Sequence, residues 1–336
     1  MTSPMSDERP PAAARPAPRV SVGLPVYNGE RFLREALEAL LDQTFTDLEL
    51  IVSDNASTDS TRSICEEFAA RDPRVRYVRQ PVNIGSAANH NAVIHLSRGE
   101  YFKWASDDDL YAPEFIERCV AVLDANPDVV VCHSRDAFID EAGHTVQNLD
   151  YHHDTEDPRA WIRLRCLLHE SGGNDIYGLV RRSLLGTDIV CGSYHNADRT
   201  FVAALSLHGR FHHVPEVLYF RRDHPGRTER EGGDHRRRAA ILHPSRGSRW
   251  RNPMVRLYVE YIGGYFLAVA RAPLSLSERM RCYREVIAWL VGRVRPGRDE
   301  WLLSHSPDPA VQARALRSIE ARKGRLARLL PRSRAT

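Results

Sequence analysis

The stretch Gly99-Glu100-Tyr101-Phe102-Lys103-Trp104-Ala105-Ser106-Asp107-Asp108-Asp109-Leu110 decides how this chain is read. Its first half is a short apolar run of strand type, and its second half sets three carboxylates side by side. At the end of a buried strand such acids repel one another and lose hydration. A hard divalent cation carrying a polyphosphate relieves both, because Mg²⁺ and Mn²⁺ take oxygens from one or two carboxylates plus phosphate. The alternative is a solvated acidic turn ahead of a helix beginning near Pro113, where acids suit the helix N-terminus.

Working outward, Arg19 to Val26 reads as a first buried strand, ending in Pro25 and the turn Tyr27-Asn28-Gly29. The period then becomes helical, with Phe32, Leu33, Ala36, Leu37, Leu40 and Leu41 on one stripe. Leu48 to Val52 is a second strand, broken by the cap-rich run Ser53-Asp54-Asn55-Ala56-Ser57-Thr58-Asp59 and followed by a helix. Val75 to Val78, Tyr101 to Ala105 and Val129 to His133 are further strands, with a helix from Asn83 to Leu96 among them. This alternation predicts an α/β fold with a mostly parallel, Rossmann-like sheet and helices on both faces. Ligands of such sheets collect beyond the carboxyl ends of the strands. The polar clusters at 25–28, 53–59 and 106–109 therefore describe one site.

Beyond Glu141 the pattern weakens. Residues 148–158 read as a loop, with His152 and His153 beside Asp154. Ile176 to Val180 suggests a returning strand, Thr200 to Leu207 a helix, and Phe211 to Arg221 a strand running into Arg222-Asp223-His224. A basic, turn-rich linker follows, then amphipathic helices over 253–270, 277–294 and 309–330. The expected organisation is a disordered leader (1–18), a main domain (19–230), and a basic linker with C-terminal helices (231–336).

The 336 residues are 42% hydrophobic and 27% charged, as in an ordinary globular protein. A net charge of +3 gives no reason to expect nucleic acid as a partner. The Arg-rich stretch from Arg236 to Arg334 admits anionic lipid, a phosphate-bearing acceptor or a dimer contact, against the plainer reading of a solvated helical surface. Six scattered cysteines read as free thiols in a reducing compartment. With no signal core and no apolar run near ~20 residues, the expected location is the cytoplasm, at most peripheral to the inner face of the membrane.

In order and spacing, Val20 to Glu30, Ile51 to Asp59, Asn83-Ile84-Gly85, Gly99-Glu100-Tyr101 and Ser106 to Leu110 together resemble family 2 glycosyltransferases of GT-A fold. The resemblance covers about residues 19–225 and adds a C-terminal helical extension to the family's fold. It implies a metal-dependent, inverting hexosyltransferase-type enzyme of glycan or polysaccharide synthesis, using Mn²⁺ or Mg²⁺. The donor would be a nucleotide-diphosphate sugar, UDP first with dTDP and GDP open. The acceptor would be a hydroxyl of a glycan, a lipid-linked glycan or a small molecule.

By the same resemblance the nucleotide would meet Pro25, Val26, Tyr27, Asn28, Glu30, Asp54, Asn83, Gly85, Asp107 and Arg222. Asp54 would accept from the base, although its setting also suits an Asx-turn or cap, the role expected of Asp59. The family's commonest spelling has an acid where this chain has Ser106. Counting from Gly99 places Asp108 on the metal-binding acid and turns Asp107 to the ribose, with Asp109 holding the loop or reaching metal through water. His224 would complete the metal shell or touch the diphosphate, and Arg222 would pair with phosphate. Asp198 falls where the family keeps its general base, His195 being a weaker candidate and a helix cap the structural alternative. Trp104 and His90 read as core and helix residues. Two other readings stay open. A nucleotidyltransferase would need a Gly-rich basic loop that Pro25 to Gly29 lacks, and a non-catalytic nucleotide-sugar-binding module is motivated by Ser106.

Overall fold

The structure is a computed structural model that describes residues 17–149, 151, 154–169, 174–186, 189–194, 196–226, 240–244, 254–305, 316–317 and 319–320. His152, His153, His195, most of the leader and nearly all of the expected helix at 309–330 lie outside the described residues.

β1 (Val20–Val26) is buried almost throughout because it pairs in parallel with β2 (Leu48–Asp54) on one side and β4 (Tyr101–Trp104) on the other. β3 (Val75–Arg79) extends the parallel half beyond β2. Helices cover its faces: α1 (Leu33–Leu41) buries the predicted Leu33, Ala36, Leu37, Leu40 and Leu41 stripe, while α2 (Thr61–Arg71) and α3 (Ser86–Leu96) complete the wrapping. A strand hidden on both faces has no need of polar alternation, which is why Val-Ser-Val-Gly-Leu-Pro-Val reads as continuous.

The second half of the sheet departs from the parallel expectation. Its strands are β5 (Leu110–Tyr111), β6 (Val129–Ile139), β7 (Thr145–Asn148), β8 (Leu179–Arg181) and β9 (Arg210–Arg222). The order is β3-β2-β1-β4-β8-β6-β9-β5, with β7 on β6. β8 is antiparallel to both neighbours, β6 and β9 are parallel, β5 is antiparallel to β9 and β7 is antiparallel to β6. The sheet is therefore mixed, because β5, β7 and β8 each run against the strands they pair with. Register shifts around Ser134 to Asp136 mark irregularities where β6 runs along β9.

α4 (Phe115–Ala125) covers one face of this half. On the other lie α5 (Ala160–His169) and α6 (Ala197–Ser206). α7 (Met254–Arg271) and α8 (Leu276–His305) pack there too. Leu164, Leu168, Ala203 and Leu207 share one core with Tyr261, Tyr265, Val269, Cys282, Val286 and Trp289. The C-terminal helices are thus fused to the sheet domain by a common apolar core. All six cysteines are free thiols. No helix among the described residues is long and apolar enough to cross a membrane.

Candidate functional site

The loops after β1 and β2 are joined by reciprocal hydrogen bonds. Asn28, at φ 55°, donates its backbone N–H to Ser57 Oγ at 3.0 Å and accepts from Thr58 N–H at 2.8 Å. Glu30 N–H donates to Asp59 at 3.1 Å, and the Glu30 carboxylate accepts from Ser60 N–H at 2.9 Å. Asp59 also accepts from Thr61 N–H at 3.0 Å, so it has the structural role expected of it. Glu30, read from sequence as a nucleotide contact, sits in the same clasp.

Asp54 is fully buried and engaged on both oxygens: one accepts from Ser57 N–H at 2.8 Å, the other from the Tyr77 hydroxyl at 2.7 Å and from Arg79. Burial works to raise its pKa, but these hydrogen bonds outweigh burial and hold it below the usual carboxylate value. Asn83 accepts from Asn55 Nδ2 at 3.0 Å and Gly85 N–H at 2.9 Å, tying the third loop to the second. Gly85 has φ +88°, and a Cβ there would lie 2.6 Å from the Leu242 carbonyl. Its bareness thus makes room for the chain's own 240–244 segment.

The acidic triplet meets the β1 loop directly. A Cβ on Gly29 would sit 2.0 Å from Asp107 Oδ2, so only glycine lets that carboxylate approach. Tyr27, Asn28, Gly29, Asp107, Asp108 and His224 line a cavity of about 460 Å³. Burial first, and the charge of Asp108 second, push the Asp107 carboxyl up to about 7. Asp108 accepts from the Ser106 hydroxyl and lies 3.0 Å from His224 Nε2. Ser106, standing where an acid was expected, therefore orients the next acid but one. A second cavity of about 410 Å³ is lined by Pro25, Val26, Tyr27, Asn55, Asn83, Asn89 and His90, with Ala240, Ile241 and Pro244. Tyr27 borders both cavities. Asp54 lines neither.

Asp109 holds the loop, one of the two roles the sequence suggested for it, whereas Arg222 is enclosed. Asp109 is buried, accepting from Arg222 N–H at 2.9 Å and from the Tyr219 hydroxyl. Burial and the Asp109 charge push the Tyr219 phenol well up, so it stays a donor. The Arg222 guanidinium is wholly buried and donates to the Asp108 carbonyl at 3.0 Å, the Glu141 carbonyl at 2.6 Å and Glu35 at 2.7 Å. It lies over the Phe32 ring, which in turn packs against His224. A guanidinium so enclosed holds the loop rather than presenting itself to phosphate. Arg31, which the sequence reading passed over, does border the first cavity, paired with Glu141. Nothing local in the sequence marks it.

Asp198 stands in the first turn of α6 after Asn196 at φ 58°, exposed and outside both cavity linings. Its helix is tied to the triplet through Phe201, whose ring lies 4.7 Å from that of Trp104. Trp104 is core, as expected, and donates to the His90 carbonyl at 3.1 Å. Among the described residues no three His, Cys, Asp or Glu form a metal cage. The donor set of Asp108 and His224, beside an Asp107 short of positive charge, nevertheless fits a hard cation whose remaining ligands come from phosphate.

Comparison with known proteins follows this geometry. The chain is 32% identical over 137 residues to chondroitin synthase of Escherichia coli, covering 41% of this chain and 20% of that one. It is 33% identical over 123 residues to the putative glycosyltransferase EpsH of Bacillus subtilis, covering 37% and 36%. The matches thus span well under half the length of these relatives. Among solved structures, S. aureus TarS 1–349 in complex with UDP-GlcNAc shares the fold, with TM-score 0.55 and 19% identity over 78% of this chain and 69% of that one. Residues 21–195, from the first strand to the loop before α6, match the family profile described as glycosyl transferase family 2. This is more than half of the chain and includes the β1 loop, the Asp54 segment and the acidic triplet, so the protein belongs to glycosyl transferase family 2.

Proposed function

We propose that this glycosyltransferase is metal-dependent and inverting, and that it moves a sugar from a nucleotide-diphosphate donor, UDP first, to an acceptor hydroxyl. The observation that carries the reading is the shared cavity in which Asp107, Asp108 and His224 face the Tyr27-Asn28-Gly29 loop. Tyr27, bordering both cavities, fits a nucleotide laid across it, with the base towards Pro25, Val26 and Asn83 and the diphosphate towards Asp108. Asp108 and His224 would hold Mn²⁺ or Mg²⁺, which when bound neutralises charge on the departing diphosphate. Asp107 faces the ribose side. Asp54 shapes the base pocket through Ser57 and Arg79, and a direct bond to the base would replace one of those donors.

In the reaction the acceptor oxygen attacks the anomeric carbon and Asp198 takes its proton. The new carbon–oxygen bond forms as the bond to the diphosphate oxygen breaks, and its electron pair leaves with the nucleoside diphosphate. Attack opposite the leaving group inverts the anomeric centre. Asp109, Tyr219 and Arg222 position the loop that presents Asp108.

The test is release of free nucleotide from a panel of UDP-, dTDP- and GDP-sugars with Mn²⁺. Turnover of at least one donor is expected, lost in Asp108→Ala with an unchanged circular dichroism spectrum. No release from any donor, across acceptors, would reject the transferase mechanism.

A further inference from the structure

α7 carries apolar side chains on its exposed side as well as on its buried one. From Met254 to Arg271 its charged residues are Arg256, Glu260 and Arg271. One face, with Tyr261, Tyr265 and Val269, is consumed by the core shared with α5 and α6. The opposite face carries exposed apolar side chains beside the Arg256–Glu260 ion pair: Val255 is 72% exposed, Val259 62% and Leu267 48%. Exposed apolar side chains grouped on one face among the described residues mark a contact surface. α8 repeats the pattern, burying Cys282, Val286 and Trp289 while Met280, Ile287 and Val291 stand exposed. The Phe266 and Tyr283 rings stack at 5.8 Å, joining the two helices.

Charge selects what covers this surface. Residues 236–336 hold 22 of the 47 Lys and Arg but 7 of the 44 Asp and Glu. The rest of the chain is correspondingly acidic. Arg284 follows Met280 by four residues and precedes Ile287 by three, placing a long basic side chain among the exposed apolar ones. Within residues 254–292 Arg256, Arg271, Arg279, Arg281 and Arg284 outnumber Glu260, Glu278 and Glu285, so two copies meeting face to face would set like charge against like. An anionic bilayer surface is attracted by this positive excess instead, and accepts apolar side chains at the headgroup boundary.

We propose that the α7–α8 hairpin docks this protein on an anionic lipid surface. Val255, Val259, Leu267, Met280, Ile287 and Val291 enter the interface, and Arg281 and Arg284 meet lipid phosphates. The proposal does not depend on the transfer mechanism, since binding is read without turnover.

The test is co-sedimentation of the full chain with phosphatidylcholine vesicles, with and without phosphatidylglycerol. Pelleting is expected only with the anionic vesicles and is expected to fall with added salt. Each Arg near such a surface contributes about fivefold, so Arg281→Glu with Arg284→Glu should weaken binding at least about tenfold. Val259→Glu with Ile287→Glu should do the same without changing the circular dichroism melt. The proposal is overturned by no pelleting of the parent protein, or by pelleting that neither pair of substitutions alters. It is equally overturned by a lipid-free dimer in light scattering that Val259→Glu splits, which would assign the face to a second copy.

Discussion

Asp107 and Asp108 share a cavity in which Arg31 is paired with Glu141 and His224 faces Asp108, and this crowding of carboxylates is the chemistry of the site. The Asp107 carboxyl, pushed up to about 7 by burial and by Asp108, lies above its ordinary 3.8. Its folded value exceeds its unfolded one, so ionising it costs stability. From this group alone the metal-free protein gains stability as pH falls from about 7 towards about 4. A divalent cation favours the anion, so the rise in melting temperature caused by Mn²⁺ should be larger at pH 8 than at pH 6. An equal rise at both, or one that Asp107→Asn leaves unchanged, would count against a cation beside Asp107. His224→Ala should weaken Mn²⁺ binding by about 10- to 100-fold while leaving the fold intact, read by calorimetric titration. Tyr219→Phe removes the hydroxyl that Asp109 accepts from, and should cost about 1–3 kcal/mol in urea unfolding. A neutral result would mean that Asp109 finds another donor.

At the scale of elements, the site depends on loops held to one another. Asp59 accepts from the N–H groups of Glu30 and Thr61, so Asp59→Ala frees both. A loss of about 0.5–2 kcal/mol in stability is expected, together with weaker nucleotide binding. Unchanged affinity would separate the clasp from the ligand. Gly85→Ala combines a left-handed backbone with a Cβ 2.6 Å from the Leu242 carbonyl. It should release the 240–244 segment, seen as faster amide hydrogen exchange there; unaltered exchange would show the segment held by other contacts. These loops were legible in the sequence because cap-forming and turn-forming residues cluster at strand ends. What escaped was set by partners distant in the chain. Arg222 reads as a phosphate ligand until Glu35 and Glu141 enclose it, and Arg31 reads as nothing at all until the cavity forms beside it.

For the whole molecule, the parallel half was readable because apolar strand-type runs alternate with helical segments over residues 19–105. In the other half β6, β8 and β9 were foreseen as strands, but two-residue β5 carries no periodic signal and strand direction is fixed only by pairing. The C-terminal helices look like an appendage in sequence but share a core with α5 and α6. Trp289→Ala should therefore destabilise the entire protein by about 3–5 kcal/mol, with one cooperative transition. Separate transitions for sheet and helices would contradict that shared core.

The central claim is that Asp108, with Asp107 and His224 beside it, grips a cation-bridged diphosphate against the β1 loop. Calorimetric titration of UDP into the parent protein and into Asp108→Asn, each with and without Mn²⁺, tests it most directly. Mn²⁺-dependent binding in the parent protein, lost in the variant by about tenfold or more, is the result this account requires. Equal affinity and equal Mn²⁺ dependence in both proteins would contradict it.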